Sequence, residues 1–265
     1  MTAVYFLIAF LATMAGAMTG MGGGVIIKPL LDLLGDYDAA TIGVLSALTV
    51  LIMSLVSVAK QMLKKTKIVP KIAVSLALGS VAGGNLGNQM FSSLLSAFQN
   101  SEAASKNVTV IQNAVLALLI AVVFVYMLYK DRIAGFHLKG ILPSLLAGAF
   151  LGVCSSFLGI GGGPINVALL IFLFSFDTKT AAVCSIITIL FAQLSKVGSI
   201  LLSPGGLLAY DLSMLFPMAI GAVAGGFLGS KCNIELPERA IDRMFNGVQV
   251  LVFGLCIFNM VRNLT

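Results

Sequence analysis

The sequence predicts an all-α polytopic membrane protein made of two inverted-topology repeats. Each repeat holds about four long membrane helices plus a short half-membrane helix behind a glycine-rich turn. Three observations carry this prediction. Apolar stretches of crossing length recur along the chain. A glycine motif and the segments behind it occur twice. The basic residues collect in loops whose sides can be assigned.

Of the 265 residues, 59% are hydrophobic and 10% charged, and mean hydropathy is +1.06. That leaves too little polar surface for a soluble domain of this size. A helix needs about 20 apolar residues to cross a bilayer, and it satisfies every backbone N–H within its own segment. Continuous apolar runs exclude a barrel, whose strands alternate apolar and polar. The expected organisation is one membrane domain over 1–265, with repeat 1 at about 1–130 and repeat 2 at about 138–265. KDRIAGFHLK (130–139) joins them.

In order, the first segment, 3–19, lacks a basic leader and a cleavage site before a soluble domain, so it reads as a retained helix. Behind GMGGG lies 24–34, followed by 39–62, 69–97 and 109–129. The second half runs 138–158, then 163–174 behind GIGGG, then 178–202, 209–231 and 238–262. Segments 24–34 and 163–174 reach only about 16–18 Å as helices, too short to cross. Each is expected to start near mid-membrane and return. Pro164 suits the first helical position, whereas Pro29 sits later, so the first short helix is expected to begin nearer Pro29 or to kink there.

The duplication is read by superposing the halves. A shift of 139 residues places Gly20 on Gly159, Gly22–Gly24 on Gly161–Gly163, and Ile26 on Ile165. It also matches Asp38 with Asp177, Thr41 with Thr180, Ser46 with Ser185 and Thr49 with Thr188. Beyond the SPGG turn the shift becomes 142, and GSVAGGNLGN (79–88) meets GAVAGGFLGS (221–230).

Charge sets the orientation, because basic loops stay cytoplasmic. Lys60, Lys64, Lys65, Lys67 and Lys71 put loop 60–71 inside. Lys130, Arg132 and Lys139 do so for 130–139, and Lys231, Arg239 and Arg243 for 231–243. Lys179 falls on the same side. Of the 16 basic residues only Lys28, Lys106, Lys196 and Arg262 do not. The loop after 39–62 is then inside and its counterpart after 178–202 outside, so the repeats are inverted. The expected location is a bacterial-type plasma (inner) membrane, with both termini outside.

Two glycine turns at mid-membrane suggest a function. A helix N-terminus offers free N–H groups and partial positive charge, a ready anion site. Glycine lets backbone approach a ligand, and equally lets helices cross closely. Inversion would aim the two starts at each other. The candidate anion-binding residues are therefore Gly22, Gly23, Gly24, Gly161, Gly162 and Gly163. Lys28, Ser46, Thr49, Asn85, Asn166, Ser185, Thr188, Gln193 and Lys196 join them. Lys196 lies inside a span, where a lysine is functional by default, although six residues separate it from the outer end and snorkelling is the alternative. Its repeat partner is Ser57. Lys28 either serves the site or pairs with Asp32 one turn on. The four hydroxyls either meet substrate or bond their own helix four residues back. The two GG-rich helices read mainly as packing surfaces.

The doubled GxGGG with its short helix resembles the sulfite exporter TauE/SafE family. So do the T-x4-S-x2-T helix behind each (Thr41/Ser46/Thr49; Thr180/Ser185/Thr188) and the later G-x3-GG-x2-G helix. The resemblance covers nearly the whole chain. It implies a permease for small sulfur-containing anions such as sulfite or organosulfonates, with the family's glycine motifs at Gly20, Gly22–Gly24, Gly159 and Gly161–Gly163.

Other classes fit less well. The single His137 lies in a loop, and no H-E-x-x-H or G-x-S-x-G arrangement occurs, so an enzyme is not expected. Cys154, Cys184, Cys232 and Cys256 show no metal spacing. No metal, cofactor or nucleic-acid partner is expected, only a small anion and the bilayer. Oligomeric state stays open, a homodimer included. A non-transporting sensor or assembly protein and an anion channel are the alternatives. Carboxylates are nearly absent from the spans, with Asp32 placed near a segment end. This favours uniport driven by the anion gradient and the membrane potential, with Asp32 or Lys196 as the alternative carrier of a proton.

Overall fold

A computed structural model of the chain describes residues 1–64, 70–97, 103–158, 163–203 and 205–264. The first half contains α1 (Thr2–Thr19), α2 (Gly24–Leu34), α3 (Ala39–Leu63), α4 (Pro70–Ala97) and α5 (Ala103–Tyr129). The second contains α6 (Ile141–Leu158), α7 (Pro164–Phe174), α8 (Thr178–Leu201), α9 (Leu215–Glu235) and α10 (Glu238–Leu264). Among the described residues there is no strand. Seven helices, α1, α3, α5, α6, α8, α9 and α10, are long and apolar enough to cross a membrane. At 28 residues α4 is long enough, but glycine, serine and asparagine dilute its hydropathy and keep it out of that set.

The helix ends follow from local chemistry. Gly20 closes α1 at φ 81°, its N–H bonding Gly16 O at 2.9 Å, and Gly22 at φ 73° turns the chain into α2. These left-handed angles are open to glycine at little steric cost. Asp38 caps α3, accepting from the N–H groups of Ala40 and Thr41 at 3.2 and 3.3 Å. Asp177 caps α8, accepting from Thr180 N–H at 2.9 Å.

Several expected boundaries shift. The first short helix starts at Gly24 and carries Pro29 within it, not at its start. Helix α5 begins at Ala103 rather than 109. Residues 206–209 form a separate 3-10 turn, so α9 begins at Leu215, and it runs on to Glu235. Helix α6 starts at Ile141 because the chain before it docks on α7. There the N–H groups of Phe136 and Leu138 bond the carbonyls of Phe172 and Leu173 at 2.9 and 2.8 Å.

Helix contacts come in matched pairs when the halves are exchanged. Helix α4 packs on α6 as α9 packs on α1, and α4 meets α8 as α9 meets α3. Helix α3 meets α8, and α5 meets α10. The two GG-rich helices supply the closest crossings. A Cβ at Gly79, Gly83 or Gly87 would collide with the carbonyls of Leu145, Ala149 and Val153 on α6. On α9, Gly221, Gly225 and Gly229 stand in the same relation to Phe6, Phe10 and Met14 of α1. These motifs serve backbone-to-backbone packing, as small residues do between membrane helices.

Polar groups gather at two ends. At one, Lys130 Nζ bonds both Asp242 oxygens at 2.8 Å and Thr178 Oγ at 2.9 Å, while Lys179 Nζ bonds Ile234 O at 3.1 Å. At the other, Tyr5 donates to Asp36 at 2.6 Å and Tyr37 Oη lies 3.0 Å from Ser213 Oγ. Between them, Leu118, Phe150, Phe216 and other large apolar side chains face outward.

Candidate functional site

The first glycine run lies between α1 and α8. Ser185 Oγ donates to Gly20 O at 2.6 Å, so a hydroxyl of the second half holds the glycine turn of the first. Gly16 of α1 admits the backbone of Gly22 and Gly23, and a Cβ at Gly20 would strike Ala182. The run is therefore a close crossing as well as a helix start, with Gly23 as the cap of α2 and Gly24 its first residue. At the second run, Gly163 caps α7 in extended backbone and accepts Asn166 N–H at 3.1 Å. Gly161 and Gly162 lie outside the described residues.

Around these turns the hydroxyl and amide candidates divide. Thr49 and Thr188 bond their own helix carbonyls, Leu45 O at 2.7 Å and Cys184 O at 2.9 Å. By contrast, Ser46 Oγ, Asn166 Oδ1 and both amide atoms of Gln193 are buried with no hydrogen-bond partner among the described residues. Sequence had not picked Ser155 and Ser156 at the end of α6, which are in the same state. Unsatisfied buried polar groups cost free energy and call for an explanation.

Lys196 is 4% exposed, which excludes snorkelling. Its Nζ donates to Gly43 O of α3 at 3.2 Å. It lines a narrow cleft of about 110 Å³ that also presents Asn88, Ser92, Ser199, Ser203 and Tyr210. Asn85 joins at the rim, its Oδ1 accepting from Ser199 at 2.8 Å. The cleft residues other than Lys196 carried no signal in sequence, since serine and asparagine near a helix end are ordinary.

Lys28 is 2% exposed. Its Nζ donates to Gln112 Oε1 of α5 at 2.7 Å and lies 3.7 Å from Asp32 Oδ2. Gln112 Nε2 in turn donates to Phe157 O at 2.9 Å, just before the second glycine run. A chain of two bonds thus ties the helix behind one run to the helix ahead of the other. One carboxylate does lie in the described core. The Asp32 side chain is 2% exposed: α2 is packed by α1, α3 and α10, and this side chain lies 3.7 Å from Lys28 although the helix end itself is partly exposed.

Matched helical halves, two short helices behind glycine turns and buried lysines define a polytopic helical membrane protein of transporter type. The sulfite exporter TauE/SafE family model matches residues 5–255, nearly the whole chain, and the chain belongs to that family. Searches against curated proteins and solved structures return no match.

Proposed function

We propose that this protein carries small sulfur-containing anions, such as sulfite or organosulfonates, across a bacterial-type plasma membrane. The anion sits between the helix starts at Gly23–Gly24 and Gly163–Pro164, and access alternates as the two inverted halves rock about it. Ser46, Asn166, Gln193, Lys28 and Lys196 supply the side-chain contacts. Both termini lie outside, and the lysine-rich loops are cytoplasmic.

One observation carries this reading. Buried lysines (Lys28, Lys196) and buried polar atoms without a partner among the described residues (Ser46, Asn166, Gln193) occur in a chain of the sulfite exporter TauE/SafE family. Lys28 and Lys196 outnumber the buried Asp32, so the described core holds one net positive charge. Charge inside a membrane is costly, so residues that hold it there mark ion paths. The gathering of Lys130, Lys179 and the α9–α10 segment at one end supports the orientation.

The test is uptake of sulfite and a panel of sulfonates into proteoliposomes holding the purified protein. Saturable flux of at least one sulfur anion is expected. Linear, non-saturating flux would mark a channel, and no flux of any member would end the reading.

A further inference from the structure

We propose that Asp32 is a built-in counter-anion to Lys28, and that it couples anion movement to proton movement in the same direction. The inference rests on the transporter reading above and adds a second transported species to it.

The pair is loose. Its 3.7 Å separation is longer than a charge-assisted hydrogen bond, and Asp32 Oδ2 receives only a 3.4 Å bond from Asn113 Nδ2. Yet both side chains are withdrawn from water, at 3% and 2% exposure. Such a pair is held by mutual need for charge compensation, because either ion alone would be stranded in low dielectric. Lys28 Nζ has three donors, and Gln112 engages one of them well.

The surroundings make the exchange specific. Within electrostatic reach of Lys28 lie Lys196 of α8 and Cys256 of α10, and Cys256 reaches Asp32 too. From α10, Arg262 donates to Leu33 O, the carbonyl next to Asp32 in sequence. From α5, the groups at the pair are the neutral Gln112 and Asn113. From α1, the Tyr5 hydroxyl is bonded to Asp36. In α3, Asp38 and Lys60 lie at the ends.

An incoming anion that takes Lys28 therefore competes with Asp32. Once displaced, the carboxylate loses its cation and faces an added negative charge, and a proton taken up with the anion supplies the missing compensation. Linkage makes this reciprocal: a proton on Asp32 frees Lys28 and tightens anion binding. One proton enters from the side that supplies the anion and leaves with it on the other side. For a monoanion, the cycle moves no net charge.

The experiment uses proteoliposomes with an entrapped pH indicator and the membrane potential clamped at zero. Methanesulfonate, which does not titrate in the working range, is imposed as a gradient, with sulfite in parallel. Wild type is expected to move close to one proton per methanesulfonate. Asp32→Glu is expected to keep that ratio. Whatever flux Asp32→Asn retains is expected to carry no proton and to ignore an imposed pH gradient. Anion flux in wild type without proton movement would overturn the coupling while leaving the transporter standing. Absence of flux for every sulfur anion would remove the transporter reading itself. Should Asp32→Asn fail to fold, the wild-type ratio still decides.

Discussion

Lys196 Nζ reaches across from α8 to the Gly43 carbonyl of α3 at 3.2 Å, while its repeat counterpart Ser57 donates to Gly226 O of α9 at 3.4 Å. The same position in each half bonds a backbone carbonyl of another helix, but only one half places a charge there. That asymmetry gives the cleft lined by Asn88, Ser199 and Tyr210 its one lysine among the described lining residues. Lys196→Ala is expected to weaken anion binding by about 1.5–3 kcal/mol, the usual worth of a hydrogen bond to a charged group. Lys106→Ala is the control. Titration of both variants with sulfite checks this, and equal losses would remove Lys196 from the site.

Gln193 separates stability from function. Both its amide atoms are buried without partners among the described residues. An apolar side chain of similar size removes that desolvation cost. Gln193→Leu should leave the melting temperature unchanged or raise it, yet weaken anion binding. Thr188→Val, whose hydroxyl bonds its own helix, should affect binding little. Melting curves with and without anion read both effects, and a Gln193→Leu protein that binds as well as wild type would exclude the amide.

The glycines of α4 are not equivalent to those of α10. A Cβ at Gly83 would overlap the Ala149 carbonyl, whereas at Gly247 nothing lies within 4 Å. Gly83→Ala should destabilise by about 1–3 kcal/mol through overpacking. Gly247→Ala, in an open helical position, should stabilise by roughly 0.5–1 kcal/mol. Detergent unfolding of the two variants should move in opposite directions.

Acid should weaken the start of α8. Partial burial pushes the Asp177 carboxyl up. Bonds from the Thr180 hydroxyl and N–H outweigh that and hold it below the ordinary 3.8. A carboxyl depressed on folding adds stability above its unfolded value and loses it as pH falls through the folded value. The cap should therefore be intact at neutral pH and fail only below about 3.8. Asp177→Ala should cost about 1 kcal/mol at pH 7 and progressively less at acid pH, measured as the difference in unfolding free energy between the two proteins.

Most of the helix plan was legible because crossing length, glycine turns and duplicated motifs are local features. The paired caps Asp38 and Asp177 sit where the superposed halves put them. What was not legible depended on contacts between distant segments. Asp32 looked like a residue near a segment end, and only the packing of α1, α3 and α10 over α2 reveals it as buried. Gln112 carried no mark at all, since its role comes from Lys28 on one side and Phe157 on the other. The cleft above Lys196 is assembled from ordinary polar residues of three helices and a connecting segment.

The pairing of α1 with α9 has a consequence for biogenesis. Between Thr19 and Leu215 lie 195 residues of chain, or about 10–40 s of synthesis. Throughout that interval α1 stands in the bilayer without the glycine surface it is shaped to meet. The first five helices thus cannot mature as a finished unit ahead of the rest. Each waits for a sister sequence that has not yet left the ribosome.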